Sequence, residues 1–178
     1  MKNRNWVIVF VVLAILGLLA VGINWAYNAG EPLTPEKLKV AEDKWERNRP
    51  PNYDLKITVN KTYASSDGAT GTQVDKYRLK VRSGQIVDFT LNGQPPQPVL
   101  DEKGERNLAR EREIREGFDI DGLFDSIEEF MEMDRRDDRK TFIRARFDKT
   151  DGHVIQFTRQ YQGRREQHIQ VDLTRVKE

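Results

Sequence analysis

The sequence predicts an α+β fold: an N-terminal transmembrane helix, then two helices packed on one face of an antiparallel sheet of about six strands, in the order α-βββ-α-βββ. Three observations carry this prediction. The chain opens on a long uncharged apolar run, two later stretches repeat their apolar residues with the 3.6-residue period of a helix, and six stretches alternate with the period of two that marks a half-buried strand. At 178 residues there is room for one ordinary domain beside the apolar segment.

From Trp6 to Ile23 the chain runs for 18 residues without a charge, behind Lys2 and Arg4 and ahead of Trp25 and Tyr27. A helix from Trp6 to Tyr27 spans about 33 Å, enough for a hydrocarbon core of roughly 30 Å, with the aromatic rings at the two interfaces. The competing expectation is a secretory signal cleaved at Ala20-Val21-Gly22, but that site falls inside the apolar run, and Tyr27-Asn28-Ala29 places a bulky residue where a small one is needed. The predicted layout is therefore a cytoplasmic tail over 1–5, a signal-anchor helix over 6–27, a linker over 28–34 and an exported domain over 35–178. That arrangement puts the protein in the bacterial inner membrane with its domain periplasmic or extracellular; secretion after cleavage is the alternative.

Within the domain, Thr34-Pro35-Glu36 starts a helix with an N-cap, a proline at the first helical position and an acid in the first turn. Leu38, Ala41 and Trp45 form its apolar stripe, and Pro50-Pro51 ends it. Tyr53, Leu55, Ile57, Val59 and Tyr63 then alternate with polar residues as the first strand. Ala64 to Thr72 is predicted as a loop, followed by a hairpin in which Tyr77, Leu79 and Val81 turn at Ser83-Gly84 into Val87, Phe89 and Leu91. Asn92-Gly93 and three prolines stop the sheet. Residues 93–118 are expected to be a charged loop or insert, or a frayed helix, outside the core. Near Asp119 the best core helix begins, with Ile120, Leu123, Phe124, Ile127, Phe130 and Met131 on one face. Strands at 141–147, 154–161 and 167–176 follow, turned at Asp151-Gly152 and Gly163.

Residues 31–178 hold 28 basic and 29 acidic side chains, a balance that argues against a general nucleic-acid binder. The absence of cysteine excludes a disulfide framework, a thiol nucleophile, a thiolate metal site and a lipid-modified cysteine. His153 and His168 are the only histidines, one in a turn and one facing solvent on a strand, so no metal site and no catalytic base are assigned. Asp119-x-Asp121-Gly122 and Asp148-x-x-Asp151-Gly152 lack the alternating ligands of a calcium loop and are read as a helix cap and a tight turn. No nucleophile elbow, phosphate loop or dinucleotide fingerprint is present, and no cofactor is implied. The aromatic set Trp45, Tyr53, Phe89, Phe124, Phe130, Phe147 and Phe157 falls on the apolar faces, where it packs the core; a lipid or ligand cavity between helix and sheet is the alternative.

Charge is uneven along the domain. Residues 101–138 carry 15 acids against 7 bases. Much of the remaining base falls on outward strand positions: Lys56, Lys76, Arg78, Lys80, Arg82, Arg144 and Arg146. These seven are the candidate face for an anionic partner, be it a lipid headgroup, a wall polymer or an acidic protein surface; a solvated face that discourages edge aggregation is the plainer expectation.

Trp45 ahead of Pro51 and Tyr53, the strand and turn from Val81 to Gly84, Ile120-Asp-Gly-Leu-Phe124, and Phe147-Asp148 before Gly152 together resemble an uncharacterised bacterial family of extracytoplasmic domains of unknown function. The resemblance covers about Lys37 to Val176 and rests on the order and spacing of motifs that are individually weak. It implies an exported α+β domain and supplies no catalytic residues. Many relatives carry cysteines at a lipid-anchor site and near the first strand; the lack of them here favours the transmembrane anchor. The function expected is that of a membrane-anchored accessory or binding domain of the envelope, with an envelope hydrolase using a carboxylate pair as the alternative.

Overall fold

The computed structural model describes residues 31–64, 70–138, 140–161 and 164–176. The expected cytoplasmic tail and transmembrane helix lie outside them, and among the described residues no helix is long and apolar enough to cross a membrane. The fold is carried by the unit Pro32–Glu178.

Three helices pack on a seven-stranded antiparallel sheet. In chain order the elements are β1 (Glu31–Pro32), α1 (Pro35–Asn48), β2 (Tyr53–Ala64), β3 (Thr70–Arg82), β4 (Gln85–Leu91), α2 (Leu108–Glu116), α3 (Ile120–Arg136), β5 (Thr141–Phe147), β6 (Val154–Tyr161) and β7 (Arg164–Arg175). The strand order β1-β5-β6-β7-β2-β3-β4 sets two three-stranded meanders side by side. They meet where β2 pairs antiparallel with β7. The expectation of two helices and six strands is thus corrected to three helices and seven strands, the extra strand being a two-residue edge inside the expected linker. Leu33 continues that edge, its N–H donating to Ile143 O at 3.0 Å.

Local chemistry fixes each boundary. Thr34 Oγ1 accepts the Lys37 N–H at 3.3 Å and starts α1; Asp119 Oδ1 accepts the Gly122 N–H at 2.8 Å and starts α3. Ser83 and Gly84 both have positive φ, 51° and 73°, as a two-residue hairpin matched to the right-handed strand twist requires. The predicted loop from Ala64 to Thr72 is shorter than expected, because β2 and β3 stay in register out to Ala64 opposite Thr70. Gly71 allows this: a Cβ there would lie 2.4 Å from the Tyr63 ring.

Alternation puts Tyr53, Leu55, Ile57 and Val59 of β2, Tyr77, Leu79 and Val81 of β3, Phe157 of β6, and Ile169 and Val171 of β7 on one buried face. Against it lie Leu38, Ala41 and Trp45 of α1 and Ile120, Leu123, Phe124 and Ile127 of α3. Trp45, fully buried, sits edge-on to Tyr53 at 5.7 Å, while Phe124 stacks on Phe147 at 6.1 Å. Within the charged stretch, α2 forms around a buried carboxylate in place of an apolar stripe. Glu111 accepts the Val99 N–H at 3.1 Å and both Arg106 Nε and Nη2 at 2.8 Å.

Candidate functional site

Among the described residues, the helices cover one face of the sheet and none lies on the other, here called the open face. Because side chains alternate along each strand, a residue next to a core residue points to the open face. Val59, Asp75, Phe157, Ile169 and Ala145 are in register on the core side; Lys56, Lys76, Arg78, Lys80, Arg82, Arg144 and Arg146 occupy the alternate positions. All seven candidates therefore project from one face.

They are not equivalent. Lys56, Lys76, Arg78 and Lys80 are exposed, whereas Arg82, Arg144 and Arg146 are half-buried at their outward strand positions. Arg82 Nη2 donates to Asp54 at 2.7 Å, and Lys80 lies 3.0 Å from Asp88. Arg144 stacks over the Phe142 ring, 4.7 Å from its centroid, which shields it from water. Lys56, in contrast, is directly opposite Arg78 across the β2–β3 pair, and on its other side opposite Asp172. A like-charge pair directly opposite on neighbouring strands destabilises a sheet. No acid forms an ion pair with Lys76 or Arg78 among the described residues. The opposite side of the domain is acidic, with Asp121, Asp125, Glu128, Glu129 and Glu132 exposed along α3.

The other sequence candidates are absorbed into the architecture. Asp148 Oδ1 accepts the N–H groups of Thr150 and Asp151, at 2.7 and 3.1 Å, forming the expected tight turn. Asp151, only 1 % exposed, pairs with His153 Nδ1 at 2.6 Å and Arg175 Nη2 at 2.8 Å. Burial works to raise its pKa, but these hydrogen bonds outweigh it and hold the carboxyl below the usual range. Gly152 has φ of 86°, and a Cβ on it would meet Ala41 O at 2.4 Å, so the turn docks backbone-close under α1. Asp148, Asp151 and His153 each offer a ligand atom within 4.8 Å of the others, yet every one already serves the turn. His168, half-buried on the open face, shares a 2.8 Å hydrogen bond with Thr158 Oγ1.

Asp121, expected only as part of a cap, in fact ties two helices together: it accepts Trp45 Nε1 at 2.7 Å and Arg49 Nη1 at 2.8 Å. Buried Arg159 of β6 pairs with Asp134 of α3, with Nε to Oδ2 at 2.8 Å, and with Glu166. The signal for the second pair was present in the sequence. Asp134 stands seven residues after Ile127 on the apolar stripe of α3, where an acid needs a buried partner. A cavity of about 950 Å³ between the β3–β4 turn, α2 and the start of α3 is lined by Glu113, Glu116, Asp119 and Asp125 with Arg112 and Arg115. Comparison of the chain with protein-family models, curated proteins and solved structures finds no match.

Proposed function

We propose that this chain is a membrane-anchored accessory or binding protein of the bacterial envelope, whose exported domain presents the open sheet face to an anionic partner. The observation that supports this most is the Lys56–Arg78 juxtaposition. Two cations opposite one another cost a sheet stability; Asp172 flanks Lys56 on its far side and no charged residue stands opposite Arg78 on β4, so an anion held between Lys56 and Arg78 would remove the remaining cost. The separation of charge between the two faces adds orientation, since the acidic α3 side repels what the basic side attracts. The apolar run from Trp6 to Ile23 would hold the domain close to lipid headgroups and to the polymers attached there.

The test is sedimentation of the full-length chain, in lipid nanodiscs, with anionic wall polymer and, separately, with vesicles rich in an anionic lipid. Binding should fall steeply as salt rises, because charges at exposed sites are screened over about 8 Å at physiological ionic strength. Reversing Lys56, Lys76, Arg78 and Lys80 to Glu should abolish it with the fold retained. Equal binding by the wild type and the fourfold variant would sink the proposal.

One observation favours the hydrolase alternative. Asp119 lines the acidic cavity, and its carboxyl is pushed up to about 6, a range suited to a general acid. Its oxygen is already committed to capping α3, as Asp121 is to Trp45 and Arg49, and this weighs toward binding. Loss of an envelope-hydrolysing activity in Asp119→Asn would restore the alternative.

A further inference from the structure

A second cavity lies on the helix side of the sheet, remote from the basic face and independent of its proposed role. It is half-open, about 350 Å³ in volume, and lies between α2, α3 and the middle of β2, β3 and β7. Val59 and Ile169 form its floor, and Leu123, Phe130 and Ile114 its walls. The volume falls within the range of small-molecule sites, about 300–1,000 Å³, and the lining is apolar as such sites are.

The sequence of α3 opens this space. Leu123, Ser126 and Phe130 follow one another at i, i+3 and i+7 along a single row, and the middle position carries a small hydroxymethyl group between two large apolar ones. A leucine there would close the slot. Ile114 stands at the mouth, 40 % exposed, an apolar side chain shared between the slot and water. The charged groups of the lining are Lys61, Arg110 and Glu113. Arg110 is neutralised by Glu113 at 3.0 Å, and Gln167 is uncharged, while no acid pairs with Lys61 among the described residues. The rim therefore carries one uncompensated positive charge.

We propose that this slot takes the hydrocarbon chain of a single-chain anionic amphiphile, a long-chain carboxylate, with its head on Lys61. An apolar interior with a cationic rim matches a molecule that is apolar along its length and anionic at one end. At about 30 Å³ for each one-heavy-atom group, the share a water takes in the liquid, 350 Å³ holds on the order of ten such groups. That accommodates most of one chain. Each methylene that enters leaves water, which drives binding without further specificity.

The test is photolabelling of the full-length chain in nanodiscs with dodecanoate bearing a terminal diazirine, the labelled residues being located by peptide mass spectrometry. Label should concentrate on peptides containing Ile114 and Leu123–Phe130. Ser126→Phe should cut it to below about a tenth, since a filled cavity leaves the chain no dry surface. Ile114→Glu, at an exposed position that the fold does not need, should lower it as well and decides the matter if Ser126→Phe fails to fold. Lys61→Glu should reduce labelling roughly threefold, the scale of one exposed charge contact. The fourfold basic-face variant should label like the wild type, which separates this site from the open face. The proposal is overturned if Ile114→Glu labels undiminished, if a dodecyl ammonium probe labels as well as the carboxylate, or if a two-chain anionic phospholipid probe labels the slot better.

Discussion

Asp119 performs two tasks that conflict. It caps α3, yet burial, with the charges of Asp121 and Glu116 nearby, pushes its carboxyl up to about 6. An unfolded chain releases the same proton near pH 3.9, so between about 4 and 6 the native state binds more protons than the unfolded one. Stability contributed at this position is therefore greatest below about pH 4 and is lost as pH rises through 6. Asparagine caps equally well and carries no charge. Unfolding of wild type and Asp119→Asn at pH 4, 5.5 and 7 should show the difference widening in favour of Asn as pH rises; a difference that is constant across this range would contradict the account. The cap itself was legible, because an acid before an apolar helical period is a local signal. The Asp151–His153–Arg175 cluster was not, because Arg175 comes from a strand 24 residues away and nothing in its local pattern marks it.

Among the elements, α3 is the one whose sequence states its role most completely, with Ile120, Leu123, Phe124 and Ile127 buried and Phe130 and Met131 partly buried along its stripe. Phe124, 2 % exposed and stacked on Phe147, is its central contact. Phe124→Ala should destabilise the domain by about 3–5 kcal/mol in urea unfolding, the usual cost of removing a buried phenyl group. A loss under about 1 kcal/mol would mean that the helix does not lock onto the sheet through this face. By contrast α2 has no such stripe. Leu108 and Ile114 are exposed, and the helix is held by the Asn107 cap, which accepts the Arg110 N–H at 3.0 Å, and by Glu111. A helix stabilised by a buried carboxylate reads as charged insert to any analysis of apolar period. The outer half of β3 was hidden for a related reason: Thr70, Thr72 and Gln73 are polar and its one large apolar residue, Val74, is exposed, so alternation gives it no contrast.

At the level of the whole molecule, alternation made all seven basic residues of the open face legible, since the i, i+2 rule needs no tertiary information. It could not distinguish the exposed four from the half-buried three: the pairing of Arg82 with Asp54 depends on the neighbouring strand β2, and the stacking of Arg144 on Phe142, two residues before it on β5, is a contact that alternation does not specify. Nor does a single sequence give cross-strand register, and so the opposition of Lys56 to Arg78 emerged only from the fold. That opposition makes the claim of an anion-binding face testable at one residue. In Arg78→Glu the cationic Lys56 of β2 would stand between two carboxylates, that of Asp172 on β7 and the new one on β3, with opposite charges at each step across the row. The variant should unfold at higher urea, by about 0.2–1 kcal/mol, and should bind anionic vesicles and wall polymer more weakly. Gain of stability together with loss of binding is the signature of a residue held for its partner. A variant that loses stability, or that binds as the wild type does, would show that the basic face is an ordinary solvated surface.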